Sequence, residues 1–159
     1  MLDFIRRSYK LLAPIDGKVV DLTKIPDDIF AEKMAGDGIA IEATGDTVVA
    51  PADGEITLIF KTNHAFGLLL DNKVEVLVHV GLDTVCLCGE GFHRLVEEGK
   101  KVKAGDAILR FDREYIKERN CSFITPVLIT NMDNICFIEL NIGEDVKAGE
   151  DVVLKYKFK

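Results

Sequence analysis

At 159 residues, with 48% hydrophobic and 30% charged side chains, the chain is long enough for one domain to bury a core without covalent staples. Its net charge of −7 is spread along the sequence, and no basic stripe with interleaved aromatics accompanies it, which disfavours nucleic-acid binding. Apolar runs fall far short of the ~20 residues of a bilayer span. The four cysteines, Cys86, Cys88, Cys121 and Cys136, include no C-x-x-C pair, and no signal peptide leads the chain, so a reducing cytoplasm is expected.

In chain order, Met1 to Leu12 mixes Leu, Phe and Ile with Arg and Lys and reads as an amino-terminal arm, either a short interfacial helix or a segment packed on the domain. The domain proper is expected over residues 13–159. Ala13-Pro14-Ile15-Asp16-Gly17-Lys18-Val19 returns as Ala50-Pro51-Ala52-Asp53-Gly54-Glu55-Ile56. Likewise Gly99-Lys100-Lys101-Val102-Lys103-Ala104-Gly105-Asp106 returns as Gly143-Glu144-Asp145-Val146-Lys147-Ala148-Gly149-Glu150. These echoes are turns, each leading into β-branched or short apolar runs, so they punctuate strands at hairpin-like intervals. Helices are few and short: one from Pro26-Asp27-Asp28 through Lys33, capped by Asp27 or Asp28, then Gly91 to Glu98 and Asp112 to Arg119. The pattern predicts an all-β antiparallel sandwich or barrel with internal duplication.

The chemistry concentrates between Thr62 and His79. A turn at Asp71-Asn72 would pair Leu70 with Lys73 and place His64 opposite His79, with Cβ atoms ~4.5–5.5 Å apart. Alternation puts Val74, Val76, Val78 and Val80 on the core side, and Glu75, Leu77, His79 and Gly81 on the other. The histidine side continues as Phe60, Thr62, His64, Phe66 and Leu68, an apolar docking patch around two imidazoles. His93 reads as a solvated position. Cys86 and Cys88 alternate outward, and with one residue between them they are too closely spaced to bind Zn²⁺ with His93.

The runs Phe30-Ala31-Glu32-Lys33-Met34-Ala35-Gly36-Asp37-Gly38-Ile39-Ala40-Ile41, Ala50-Pro51-Ala52-Asp53-Gly54, Thr62-Asn63-His64-Ala65-Phe66, Glu75-Val76-Leu77-Val78-His79-Val80-Gly81-Leu82-Asp83-Thr84-Val85 and Gly89-Glu90-Gly91-Phe92 come in that order. Together they resemble the glucose-type enzyme IIA domain of the bacterial phosphoenolpyruvate-dependent sugar phosphotransferase system. The resemblance covers the chain from about Ala13 onward and implies a fold of the barrel-sandwich hybrid type. It also implies phosphoryl relay: His79 accepts phosphate from the histidine phosphocarrier protein and passes it to a cysteine on the IIB domain of a sugar transporter, and the sugar itself is never bound here. His64 matches the second histidine, Thr62 the hydroxyl residue that orients it, and Asp83 lies close enough in sequence to orient a group at the same site. Phe30, Phe60, Phe66 and Leu77 are the expected partner-docking rim. At Cys86 and Cys88 the family carries polar or charged residues.

No cofactor is required by this chemistry. A Zn²⁺ ion on His64 and His79 would need a carboxylate from a docked, regulatory partner. Two other classes compete. A biotinyl- or lipoyl-like swinging-arm carrier shares the Lys-Ala-Gly turns but would have to use Lys33, which follows a helical turn. A Zn-dependent hydrolase would need Asp83 as third ligand and lacks H-x-H or H-E-x-x-H spacing.

Overall fold

The computed structural model describes residues 7–159. Among them the strands are β1 Tyr9–Leu12, β2 Gly17–Val20, β3 Asp37–Ala43, β4 Thr47–Val49, β5 Gly54–Ile59, β6 Ala65–Leu70, β7 Glu75–His79, β8 Phe92–Arg94, β9 Lys101–Val102, β10 Ala107–Phe111, β11 Ile124–Ile129, β12 Ile135–Leu140, β13 Asp145–Val146 and β14 Val152–Phe158. Two short α-helices, α1 Asp28–Ala31 and α2 Arg113–Glu118, start at Asp27 and Asp112, whose carboxylates accept the N–H groups of Ile29 and Tyr115. Side-chain capping of this kind makes such short helices viable.

An eight-stranded antiparallel sheet, ordered β13-β2-β3-β11-β7-β6-β5-β9, faces two three-stranded sheets, β1-β14-β12 and β4-β10-β8. The sheets do not close into a barrel; the sandwich alternative holds. Alternation on the large sheet sends Ile39, Ile41, Val76, Val78, Val127 and Ile129 into the main core, where Leu11, Leu109, Leu154 and Tyr156 meet them. The opposite face carries Ala40, Leu77 and Leu128, covered by Leu22, Ile25 and Phe30 from the segment that ends in α1. His79 belongs to the β7 alternation of Leu77, so it emerges at the margin of this second cluster.

The sequence echoes are a structural duplication. Ala148 N–H donates to Asp16 Oδ1 and Ala104 N–H to Asp53 Oδ1, each at 2.8 Å. The backbone repeats the correspondence, with Gly149 N–H on Ala13 O and Gly105 N–H on Ala50 O, both at 2.9 Å. β13 pairs with β2 as β9 pairs with β5. The two copies touch at Gly149, where a Cβ would stand 3.1 Å from Gly105 Cα.

Four expectations are corrected. Gly91 to Glu98 is not a helix: Gly91 has φ +86°, and Phe92–Arg94 pairs with β10, which draws Phe92 into the core. Tyr9–Leu12 is a strand paired with β14, so the fold begins before Ala13; residues 1–6 of the expected arm lie outside the described residues. The β6–β7 hairpin closes on a three-residue loop, Asp71–Lys73, with Leu70 N–H on Val74 O and left-handed Lys73 (φ 74°), a common geometry for that loop length. The register is therefore one residue off the expected one: Ala65, not His64, faces His79. Because side chains alternate, the slip moves Phe66 to the core side, where it is 0% exposed, and removes it from the docking rim.

Candidate active site

His79 ends β7. Its Nδ1 lies 2.8 Å from the carbonyl oxygen of Gly81, and since a carbonyl only accepts, Nδ1 carries the proton and Nε2 keeps its lone pair. The sequence Val80-Gly81 is what delivers that carbonyl. Gly81 has φ +76°, and a Cβ there would lie 2.4 Å from Ser122 O and 2.6 Å from Thr84 Cγ2, so only glycine fits the bend. Thr84 holds it from the other side by donating its buried hydroxyl to Val80 O at 2.6 Å.

His64 reaches the same place by a different route. It precedes β6 and so escapes strand alternation; left-handed Asn63 (φ 57°) turns the chain just before it. The two imidazoles meet edge to face, centroids 4.8 Å apart and planes at 82°. Thr62 Oγ1 sits 2.6 Å from His64 Nδ1. Phe60 packs edge-on against His64 at 5.3 Å, and Phe92 at 6.4 Å, while Phe30 stands 5.0 Å from the ring of His79.

Burial keeps both rings neutral. It lowers the pKa of His64 to about 4, with the neighbouring His79 adding to the shift. For His79, too, burial is the main cause and lowers the pKa; the Gly81 carbonyl and the charges of Asp27 and Asp83 oppose it. Desolvation disfavours the imidazolium form, and a neutral imidazole with a free Nε2 is a nucleophile at pH 7.

The structure thus brings together His79, His64 and Thr62. Asp83 is exposed and left-handed (φ 60°), leads into the 3-10 turn Thr84–Leu87 without capping it, and reaches His79 only as a charge. Phe30 (6% exposed) and half-buried Phe60 and Leu77 line the pair from below. The apolar side chains that project beside them are Ile29, 55% exposed, on α1, and Val85, 54% exposed, in the turn after Asp83. Sequence reasoning missed Asp27 as a charge on His79, the Gly81 carbonyl and Phe92; a glycine two residues after a strand-end histidine was the available signal for the second. Lys33, the swinging-arm candidate, lies after α1 and pairs with Asp37 at 3.3 Å, not at a hairpin tip. Among the described residues no three His, Cys, Asp or Glu side chains group as a metal site.

Two neutral imidazoles in contact on a β-sandwich, one with its free nitrogen selected by a backbone carbonyl, form a site able to take up and hand on a group at a ring nitrogen. Residues 9–135 match the family of the phosphoenolpyruvate-dependent sugar phosphotransferase system, EIIA 1. A glucose-specific EIIA component of that system from Borreliella burgdorferi is 51% identical over 89% of this chain and 76% of its own length. One from Haemophilus influenzae is 46% identical over 93% and 89%. The solved glucose permease IIA from Mycoplasma capricolum superposes with a TM-score of 0.89 at 36% identity, covering 96% of this chain and 97% of that one. The chain belongs to the EIIA family of the sugar phosphotransferase system. It is a phosphotransferase that carries phosphoryl groups through a phosphohistidine in sugar uptake, between a phosphocarrier and a sugar-specific transporter component. The swinging-arm and hydrolase alternatives are not favoured.

Proposed function

We propose that Nε2 of His79 is the phosphoryl acceptor and donor. The observation that carries this is the 2.8 Å contact of His79 Nδ1 with Gly81 O, which leaves Nε2 the only nitrogen of that ring able to attack. In loading, the P–N bond to the phosphocarrier's histidine breaks as a P–N bond to His79 Nε2 forms. In unloading, that bond breaks as a P–S bond forms to a cysteine thiolate of the IIB domain. Such transfers depend on in-line positioning and on stabilising charge on the equatorial oxygens. Thr62 donates its hydroxyl proton to His64 Nδ1, which leaves His64 with an Nε2–H to donate to the phosphoryl oxygens; Asp83 and Asp27 tune His79 through their charge.

Docking of both partners uses Ile29 and Val85 with the half-buried edges of Phe60, Leu77 and Phe30, an exposed apolar set around one nucleophile. The transporter served is a glucose-specific one, a reading supported by the names of relatives 45–51% identical to this chain. Among the described residues no helix is long and apolar enough to cross a membrane, and recruitment to the membrane comes through the transporter. A regulatory Zn²⁺ ion held by His64, His79 and a partner's carboxylate would require the other His64 tautomer, with Nδ1–H donating to Thr62 Oγ1 and Nε2 freed as the second nitrogen ligand. The test is intact mass after incubation with phosphoenolpyruvate, enzyme I and the phosphocarrier. A gain of one acid-labile phosphoryl group, mapped to His79, is expected; a gain elsewhere overturns the assignment.

A further inference from the structure

The Phe60–His64 loop is what carries Thr62 and His64 to His79, and it has few constraints of its own. Its backbone bonds are Phe60 N–H on Ala65 O and Asn63 N–H on Phe60 O, at 3.0 and 2.7 Å, and at its far end Val80 N–H on His64 O at 2.7 Å, which fixes the His64 carbonyl but not the turn at Asn63. Asn63, in the left-handed region without being glycine, is the residue that would relax first. Arg94, at the end of β8, holds it there. Arg94 Nε–H donates to Asn63 Oδ1 at 2.8 Å and its Nη2 donates to Phe60 O at 3.4 Å, so one guanidinium grips the loop at both of its turning points. Its fork geometry presents several donors in one plane. The contact with Glu97, at 3.4 Å and 80% exposed on the carboxylate side, adds little. The same strand supplies Phe92 against the His64 ring, and Glu98, just beyond it, accepts the N–H of Ile59 at 2.9 Å. The β8 segment is thus a template on which the second histidine is set.

We infer that Arg94 is a positioning residue for phosphoryl transfer, acting through Asn63 to hold the Thr62–His64 pair in register with His79. The inference rests on the roles proposed above for His64 and His79. Without the guanidinium, Asn63 is free to leave the left-handed region, and Thr62 Oγ1 no longer selects the tautomer of His64. Arg94 itself touches neither phosphate nor nucleophile.

The experiment measures loading and unloading of the full chain in single turnovers, together with the imidazole nitrogen shifts of His64 by NMR. Arg94→Met is expected to slow unloading ten- to hundredfold, on the order of a misplacement of about 1 Å, and to turn one His64 tautomer into a mixture. Asn63→Gly keeps left-handed backbone accessible but removes the Oδ1 acceptor, and should reproduce both effects even if Arg94→Met folds poorly. In a His64→Gln background Arg94→Met should add no further slowing, because the cycle isolates the path through His64. Undiminished slowing in that background, or unchanged rates and shifts in Asn63→Gly, overturns the inference. Failure of the unmodified chain to take phosphate on His79 would overturn the phosphoryl-carrier roles instead, and the two failures are read from different samples.

Discussion

Beside the Asp71–Lys73 loop of the central hairpin, where Asp53, Ala104 and Asp71 line one cleft, the turn devices occur twice: two Asp-Gly turns cap two Lys-Ala-Gly turns through the same Asp-to-Ala bond. At the His64–His79 end nothing is repeated. There the left-handed positions fall on Asn63 and Asp83 as well as Gly81, and each is held by a single set of contacts. The duplicated turns place glycine at their positive-φ positions, Gly105 and Gly149, so those bends carry little strain; the single-copy hairpin loop beside them holds left-handed Lys73 (φ 74°). At the site end such positions also carry side chains: Asn63, whose Oδ1 accepts from Arg94, and Asp83, whose charge acts on His79. Stability and chemistry are accordingly expected to separate by region.

The largest expected effect is at His79. His79→Ala should abolish phosphoryl uptake in the intact-mass assay while shifting unfolding by about 1 kcal/mol or less, since the ring is only half-buried and its loss opens no core cavity. A variant that fails to fold would show that the two regions are not separable.

Next comes His64→Gln. Loading should survive, because the attachment site remains, whereas unloading should slow by ~10²–10³, the usual cost of one oriented donor at a developing charge (~2.7–4 kcal/mol). Loading lost as completely as in His79→Ala would mean that the histidines act as a unit.

Acidification probes the same ring through stability. With a folded-state pKa of about 4 against an ordinary 6.5, His64 is protonated in the unfolded chain first. Between those values the unfolded state binds more protons, so stability is full above pH 6.5 and falls as pH is lowered toward 4, by about 3 kcal/mol from this group. His79 shifts in the same direction and steepens the loss. Denaturant titrations across this range should show the slope, and His64→Gln should flatten it.

The smallest effect belongs to the duplicated end. Asp53→Ala should cost about 1 kcal/mol, one hydrogen bond to a backbone N–H, and Asp16→Ala the same, with phosphoryl transfer rates unchanged in both. Unequal costs would show that the two copies have diverged in energy while keeping one geometry.

Local signals carried the all-β class, the duplicated turns, a cap at Asp27 or Asp28 and a short helix from Asp112, because glycine turns and capping carboxylates act within a few residues of themselves; the two histidines meet beside Thr62 as expected, but not by the strand alternation that predicted it. The hairpin register was not of this kind. Asp71-Asn72 is a competent two-residue turn, and the three-residue loop prevails through partners remote in sequence: Tyr156 Oη accepts from Asn72, and Asn131 bonds both Lys73 O and Glu75 N–H. That choice sent Phe66 into the core and left His64 to reach His79 from outside the strand. The free nitrogen of His79 was equally a tertiary decision, since Gly81 is wedged against Ser122, far along the chain. Sequence alone brought His79, His64 and Thr62 forward as candidates, because motifs are local; only long-range packing decided that His79 keeps its Nε2 free, because the Gly81 carbonyl that holds Nδ1 is set by a remote segment.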